Sequence, residues 1–206
     1  GTATNEAAWD YFRTCAEQSK GMAFWGSPFD DSVWVRSDNR EAGRLAVERL
    51  ARSGAERIVF VGDTASSQRQ FRERYEGYRD AMEQAGLSPT EPVISDGEDR
   101  VSQGRNAIRQ MADSGAGFDG LFFACDAMAL GALEELASLG IAVPDQVGVI
   151  GFDGLGSGEF SAPPLTTVQP DFAQAGMTLV DTALASGEDR PERRVKVHLV
   201  ERASVR

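Results

Sequence analysis

Short apolar runs alternate along the chain with longer stretches in which apolar residues recur every three or four positions. The apolar runs cover residues 22–25, 33–35, 58–61, 92–95, 121–124, 147–152 and 195–200. Because most of them are apolar without alternation, these runs are typical of strands buried on both faces of a sheet. The pattern therefore predicts an α/β fold in which helices cover both faces of a parallel sheet.

The amphipathic stretches between the runs predict helices whose ends are marked by capping residues. We expect helices over residues 5–19, 39–53, 69–85, 102–113, 127–139 and 171–185. Asp38 or Asn39 and Asp126 suit the N-caps of two of these helices, and glycines such as Gly54 suit the helix ends. Linkers are expected at residues 154–164 and 186–194.

Chain length, net charge and a few short sequence features limit which classes of protein this chain can belong to. A chain of 206 residues holds one large α/β domain or two small lobes, and a net charge of −11 does not suit a surface that grips nucleic acid. No apolar run approaches the roughly 20 residues of a membrane-spanning helix, and residues 1–9 lack the features of a secretory signal. Cys15 and Cys125 are distant in sequence, so we expect two free thiols in a reducing cytoplasm.

Aspartates follow four of the predicted strands, at Asp63, Asp96, Asp126 and Asp153. The carboxyl ends of parallel strands share one edge of the sheet, where ligands of open α/β sheets bind. Four carboxylates at that edge can accept hydrogen bonds from a polar ligand, and the predicted helix over residues 69–85 carries arginines that can donate. Each aspartate can instead cap a helix or a turn, and the sequence leaves both interpretations open.

Catalytic and metal-binding patterns are not evident in the sequence. The single histidine, His198, lies in a strand-like run, and no Gly-x-Ser-x-Gly elbow occurs. The glycines of residues 154–158 have neither the dinucleotide-binding spacing nor a phosphate-loop lysine. We therefore expect no enzyme, no cofactor and no metal, although chemistry based on aspartate alone stays open.

Several segments resemble the LacI/GalR family of bacterial transcription regulators. They are residues 38–43 (DNREAG), 74–78 (RYEGY), 122–133 (FFACDAMALGAL), 140–144 (GIAVP), 147–153 (VGVIGFD) and 163–168 (PPLTTV). Their order and spacing agree with the family over nearly the whole chain. The last segment separates these regulators from secreted sugar receptors of the same fold.

The resemblance implies a periplasmic-binding-protein-like fold, with two lobes that are each a parallel sheet flanked by helices and that are joined by three crossovers. Residues 38–169 and 195–206 would form the C-terminal lobe, and residues 1–37 and 170–194 part of the N-terminal lobe. A small polar effector, such as a sugar, would bind between the lobes. The DNA-binding headpiece and the first part of the N-terminal lobe have no counterpart in these 206 residues.

The resemblance also implies roles for individual residues. Arg74 matches an arginine that binds effector hydroxyls or phosphates, and Asp153 matches an aspartate that receives ligand hydroxyls. Cys125 stands where relatives often carry asparagine, with Asp126 after it mainly as a cap. Asp99 falls near a position that is often aromatic. Trp25, beside the first crossover, can supply a stacking face in its place or can pack the hinge.

The sequence thus favours a cytoplasmic effector-binding domain that changes operator binding through an attached headpiece and forms a homodimer. The alternative is a transport-type sugar-binding protein of the same fold. A signal peptide upstream of this segment would favour transport, and a helix-turn-helix would favour regulation. Arg74→Ala is expected to abolish ligand binding and leave the fold intact.

Overall fold

The structure of the chain is a computed structural model that describes residues 11, 14, 15, 18, 23–26, 34–65, 69–115, 117–185 and 193–206. The strands are β1 (Phe24–Trp25), β2 (Trp34–Ser37), β3 (Ile58–Val61), β4 (Gly120–Phe123), β5 (Gly148–Phe152), β6 (Thr166–Pro170), β7 (Arg193–Val195) and β8 (Val197–Val200). The helices are α1 (Asn39–Arg52), α2 (Arg69–Gln84), α3 (Arg100–Ser114), α4 (Asp126–Ser138) and α5 (Phe172–Leu184).

These strands form two sheets. The larger has the order β3-β4-β5-β6-β8, with its first four strands parallel and β8 antiparallel to β6. The smaller has the order β1-β2-β7 and is parallel throughout. The predicted α/β class is confirmed, and the antiparallel edge strand β8 corrects the expectation of purely parallel pairing.

Between β2 and β8 the chain passes three times from one sheet to the other. It leaves the smaller sheet after Ser37, returns to it after Pro170, and crosses again between Val195 and Val197. The first two passages lead directly into helices whose N-caps are aspartates, Asp38 for α1 and Asp171 for α5. Each cap side chain accepts a backbone hydrogen bond from the first turn, which fixes where the helix starts.

Most of the buried apolar side chains lie around the larger sheet. All residues of β3, β4 and β5 are buried, which is why their sequences lack polar alternation. The ring centre of Phe60 lies 6.0 Å from that of Tyr78 on α2 and 5.5 Å from that of Phe122 on β4. The Tyr78 hydroxyl also donates a hydrogen bond of 2.8 Å to the Ile58 carbonyl, so it anchors α2 on β3.

Two strand predictions need correction, and one strand was missed. The run 92–95 forms only an isolated bridge between Val93 and Val61, and its neighbour Pro92 has no N–H to offer a longer ladder. The run 195–200 is divided between the two sheets at Lys196. The strand β6 was not predicted, since its sequence, TTVQP, has a single apolar side chain besides proline.

Other predicted elements agree within a few residues or fall outside the described part of the chain. Helices α1, α2, α3 and α5 lie where the periodicity placed them. The expected linker 154–164 contains a short 3-10 helix, Gly156–Glu159. Most of the predicted helix 5–19 and of the linker 186–194 lies outside the described residues. Among the helices that the structure describes, none is both long and apolar enough to cross a membrane.

Candidate ligand-binding site

A cleft of about 590 Å³ lies between the two sheets, where the chain passes from one to the other. Its volume is in the range that accommodates a small molecule. The described residues that line it come from both sides: Trp25, Gly26, Arg36, Ser37, Asn39, Gln70, Phe71, Arg74, Arg100, Cys125, Ala127, Phe152, Asp153, Pro170 and Phe172.

Arg74 lies on α2 one turn before Tyr78 and is buried in the wall of the cleft. Its Nε donates a hydrogen bond of 3.0 Å to Oδ1 of Asn39, and its Nη1 donates one to the Ala124 carbonyl. The guanidinium lies over the Phe152 ring, 3.4 Å from the ring centre. Burial lowers the pKa of Arg74 to about 10, and the nearby Asp153 carboxylate opposes that effect. The side chain therefore stays cationic at neutral pH.

Asp153 follows β5 directly and brings a carboxylate to the cleft. Its φ of 125° lies in a region that residues with a Cβ seldom adopt, and its N–H donates a 3.0 Å hydrogen bond to the Val168 carbonyl. Burial raises the pKa of Asp153 to about 6; the Arg74 charge lowers it, and Asp126 adds to the increase. The Asp153 carboxylate can therefore accept a hydrogen bond from a ligand at a largely buried position in the cleft.

Cys125 occupies the N-cap position of α4 and also lines the cleft. It makes no side-chain cap hydrogen bond, and burial raises the pKa of its thiol, so the neutral thiol prevails. The backbone of α4 begins here without the oxygen that usually satisfies its first N–H groups.

Trp25 and Phe172 form an aromatic pair on the side of the smaller sheet. Trp25 ends β1, Phe172 begins α5, and their ring centres are 6.5 Å apart with a tilt of 48°. Both rings line the cleft, and both remain partly exposed, at 41% and 51%. They can offer an apolar face to a sugar or a base.

Asp126 is placed differently from its predicted role. It is the first residue of α4 instead of its N-cap, so the cap prediction is wrong. Its buried carboxylate accepts hydrogen bonds of 2.6 Å from Oγ1 of Thr167 and 2.7 Å from the N–H of Leu155. Burial raises its pKa, and these donors oppose the increase. Asp126 ties α4 to β6 and is not among the residues that line the cleft.

The other predicted aspartates also lie outside the cleft lining. Asp99 is the N-cap of α3 and forms a capping box with Ser102, whose N–H donates a 2.7 Å hydrogen bond that lowers the pKa of Asp99. Asp63 accepts a hydrogen bond of 2.8 Å from the N–H of Ala65, which matches the turn interpretation. Asp96 is exposed. The shared strand edge thus brings only Asp153 of the four strand-end aspartates into the cleft.

Several residues of the cleft were not predicted, and a network behind its wall joins some of them. Asn39 donates a 2.9 Å hydrogen bond to Oε2 of Glu73, and Arg36 forms a 3.1 Å ion pair with Oε1 of the same residue. Since Asn39 also holds Arg74, the network connects β2 of the smaller sheet with α1 and α2. The helical spacing of residues 70, 71 and 74 was the available signal for the α2 face.

Within the described residues, no group of three or more His, Cys, Asp or Glu side chains is arranged to hold a metal ion. The cleft has instead a mixed lining of guanidinium, carboxylate, amide and aromatic groups. Such a lining can bind a small polar molecule by hydrogen bonds and stacking.

Comparisons with known proteins agree with the fold and with the resemblance. The sequence pattern of the family described as periplasmic binding protein-like domain matches residues 47–205. The HTH-type transcriptional regulator AscG of Escherichia coli (strain K12) is 34% identical over 67% of this chain and 40% of its own length. The HTH-type transcriptional regulator CelR of Thermobifida fusca is 34% identical over 69% of this chain and 42% of its own length.

The solved structure of a transcriptional regulator CelR–cellobiose complex superimposes with a TM-score of 0.78 at 29% identity, covering 88% of this chain and 58% of that one. The chain spans about two fifths of the length of AscG and of CelR, the two curated relatives described above. Both of these relatives are named as HTH-type transcriptional regulators. The chain belongs to the family of periplasmic binding protein-like domains, and within it resembles the LacI/GalR-type transcriptional regulators.

Proposed function

We propose that this chain is the effector-sensing domain of a LacI/GalR-type transcription regulator and that it binds a small polyhydroxylated molecule in the cleft between the two sheets. The observation that carries the proposal is the presence of Arg74 and Asp153 together in the cleft wall, a donor and an acceptor with aromatic rings nearby. Support comes from the relatives, which are regulators, and from the structural neighbour described as a cellobiose complex.

Four of the predicted residues would contact the effector. Arg74 would donate to a hydroxyl, Asp153 would accept from one, and Trp25 would stack on the apolar face of the molecule. Cys125 would contribute a weak polar contact beside them. Asp126 and Asp99 would act indirectly, by fixing the starts of α4 and α3 that border the cleft.

Binding would be linked to regulation by movement of the two lobes. We assign residues 38–169 and 195–206 to the C-terminal lobe and residues 1–37 and 170–194 to the N-terminal lobe, joined at the three passages between the sheets. An effector shifts such an equilibrium only if it binds one arrangement more tightly than the other. The network of Arg36, Asn39, Glu73 and Arg74 spans both sides, so it would respond to that change.

The proposed partners follow from the same assignment. Operator DNA would be contacted through a helix-turn-helix domain of the kind that the relatives' names state, because a chain of net charge −11 does not suit phosphate contacts. A homodimer would form through helix faces of the C-terminal lobe, and the regulator would act in the cytoplasm by reversible binding, without turnover of its ligand. The regulators among the relatives favour this function over a transport receptor of the same fold.

A thermal-shift screen against sugars, sugar phosphates, nucleosides and polyols tests the proposal. A ligand present at 100 times its dissociation constant adds about 2.7 kcal/mol to the free energy of unfolding. Arg74→Met, which keeps the apolar stem and removes the charge, is expected to reduce this stabilisation to roughly a half or less. Removing a charged hydrogen bond costs about 1.5–3 kcal/mol of binding free energy, or roughly 10- to 100-fold in affinity.

The matched control is Arg105→Gln, since Arg105 lies on α3 outside the cleft lining and pairs with Glu134 at the surface. Arg74→Met also loses contacts to Asn39 and Ala124, so each variant is compared with and without ligand. Trp25→Ala, at a partly exposed ring, provides a second probe of the cleft and is expected to weaken the same ligand. A ligand that stabilises both Arg74→Met and Trp25→Ala as much as it stabilises the wild type would contradict the proposal.

A further inference from the structure

Glu73 on α2 is a largely buried carboxylate that contacts the smaller sheet. Its Oε1 forms a 3.1 Å ion pair with Nη1 of Arg36 on β2, and the two side chains are 13% and 3% exposed. Arg36 belongs to the sheet β1-β2-β7, whereas α2 is anchored on β3 of the larger sheet through Tyr78. The pair therefore joins the two lobes by a contact between side chains, in addition to the three chain passages.

The same carboxylate is held on its own side of the cleft by two further donors. Oε1 also accepts a 3.0 Å hydrogen bond from Nε of Arg69, one turn earlier on α2, and Oε2 accepts one of 2.9 Å from Nδ2 of Asn39 at the start of α1. Hydrogen bonds to a carboxylate are strong, and a change of rotamer would break all three contacts at once. Glu73 is therefore fixed relative to α1 and α2.

Asn39 carries the contact from Glu73 to Arg74. Its Nδ2 donates to Glu73, and its Oδ1 accepts the 3.0 Å hydrogen bond from Nε of Arg74. An amide has one donor side and one acceptor side, so the carboxylate on one side fixes which atom faces the arginine. Glu73 thus orients the acceptor that holds Arg74, although Glu73 is not among the described residues that line the cleft.

The smaller sheet also approaches α2 one turn before Glu73. Gly26, directly after β1, has a φ of 72°, and a Cβ at this position would lie 2.2 Å from Nε2 of Gln70. Gln70 and Glu73 are three residues apart and so share one face of α2. The smaller sheet is therefore in close contact with this face, and the Arg36–Glu73 pair is an ion pair within that contact.

We propose that the Arg36–Glu73 ion pair is an interlobe latch and that Glu73 is a positioning residue for Arg74. In the free protein the latch holds the smaller sheet against α2, because separating two largely buried charges leaves both poorly solvated. Through Asn39 the same carboxylate sets the orientation of the Arg74 side chain. The arrangement of the lobes and the position of Arg74 are then coupled before any ligand binds, so the inference goes beyond the proposed function.

The distance between the lobes is measured in the ligand-free full chain by double electron–electron resonance. Spin labels are attached at Met177→Cys on α5 and at Glu98→Cys before α3, two exposed positions on opposite lobes, in a Cys15→Ser background. A sample without the two introduced cysteines controls for labelling of the buried Cys125. Dilution with unlabelled protein removes distances between copies of the chain.

The variants are Glu73→Gln, Arg36→Gln and the two combined. The matched control is Glu135→Gln, since Glu135 is a carboxylate with 7% exposure that pairs with Arg109 at 2.9 Å. That pair joins α3 to α4 on the larger sheet alone. All these substitutions break an ion pair, but the control breaks one that lies within a single lobe.

We expect Glu73→Gln and Arg36→Gln each to raise the ratio of long to short interlobe distances about tenfold or more. The combined variant is expected to raise it no further, because both substitutions remove the same pair. Glu135→Gln is expected to leave the ratio unchanged. If circular dichroism shows that a neutral variant does not fold, Glu73→Asp, which keeps the charge but is one methylene shorter, is expected to lengthen the distances in the same direction.

The second readout follows Arg74 itself. Its Nε–H, which donates to Asn39, is expected as a slowly exchanging signal in a proton–nitrogen correlation spectrum, assigned by its loss in Arg74→Lys. Glu73→Gln is expected to speed the exchange of this proton about tenfold or more, and Glu135→Gln to leave it unchanged.

Three results would overturn the latch: unchanged distances in the folded variants of Glu73 and Arg36, equal lengthening in Glu135→Gln, or long distances that already predominate in the wild type. Longer distances together with an unchanged Arg74 signal would support the latch and overturn the positioning role of Glu73. None of these results decides whether the cleft senses an effector, which the ligand-binding measurements test separately.

Discussion

At the scale of single residues, Asp153 is a carboxyl group whose ionisation is opposed by its surroundings. It follows a fully buried strand, has a positive φ, and shares its space with Arg74 and the buried Asp126. Burial raises its pKa to about 6, while the positive charge of Arg74 prevents a larger shift. A carboxylate held in this way binds a donor strongly, because water does not compete with the ligand.

The raised pKa predicts how stability depends on pH. A carboxyl group whose pKa is about 6 in the folded state, against an ordinary value of 3.8, binds its proton more tightly when folded. Its stabilising contribution is therefore complete below pH 3.8 and is lost as the pH rises through 6. The substitution Asp153→Asn removes the titrating group and with it this loss of stability at higher pH. Asparagine also tolerates a positive φ better than most residues do.

We expect Asp153→Asn to gain stability relative to the wild type between pH 4 and pH 7, by at most about 3 kcal/mol, as measured by urea unfolding. The gain should be small at pH 4 and should reach its maximum above pH 6, while ligand affinity falls. The control is Asp96→Asn, at an exposed aspartate outside the cleft lining. A difference in stability that does not vary with pH would show that Asp153 ionises as freely in the folded state as in the unfolded chain.

The sequence identified some residues of the cleft and missed others for physical reasons. Arg74 and Asp153 were found because a family motif and a strand end point to them. Asp99 and Asp63 instead accept hydrogen bonds from backbone N–H groups of their own turns. Their position after a predicted strand did not distinguish this local role from ligand binding. Arg36 and Arg100 enter the cleft only because the second sheet and the start of α3 are brought beside α2, a tertiary effect.

At the scale of elements, the close approach of α1 and α2 sets the depth of Arg74. Gly43 and Gly77 lie at the contact between the two helices. A Cβ on Gly77 would lie 2.0 Å from the carbonyl oxygen of Arg40, and one on Gly43 would lie 2.3 Å from the carbonyl oxygen of Arg74. Only glycine permits this spacing, so the two positions hold the backbone of α2 against the start of α1.

We predict that Gly77→Ala separates the two helices, lowers the free energy of unfolding by about 1–3 kcal/mol and weakens ligand binding because Arg74 moves. Alanine is the better helix former, so a helix without this contact would gain stability instead. Gly176→Ala on α5 is the control, since a Cβ there meets no described atom within 4 Å. That variant is expected to gain up to about 1 kcal/mol. Equal stabilisation of both variants by alanine would contradict the packing role of Gly77.

Elements with a clear apolar pattern in the sequence were predicted well. Elements whose position depends on tertiary contacts were not. The residues of β3 are apolar without interruption and were predicted with their observed bounds. In β6, Thr166 and Thr167 are fully buried, and the polar atoms of both are hydrogen-bonded within the protein. A strand whose buried side chains are hydroxyls has no apolar pattern, so only the fold reveals it.

At the scale of the whole molecule, the three passages between the sheets and the network around Glu73 connect the two walls of the cleft. Arg36 belongs to the smaller sheet, Glu73 and Arg74 to α2, and Asn39 to the start of α1. A ligand that contacts Trp25 on one side and Asp153 on the other would bridge both parts. Its binding free energy would then favour one relative arrangement of the lobes, as sensing requires.

The measurement that tests this account most directly is hydrogen–deuterium exchange of the full chain, with and without the ligand that gives the largest thermal shift. Bound ligand is expected to slow exchange at residues 36–39, 70–74, 152–154 and 171–173, which lie on both walls of the cleft. Protection confined to another surface, such as the apolar groove that includes Leu133, Val143 and Pro163, would contradict the assignment of the cleft as the sensing site.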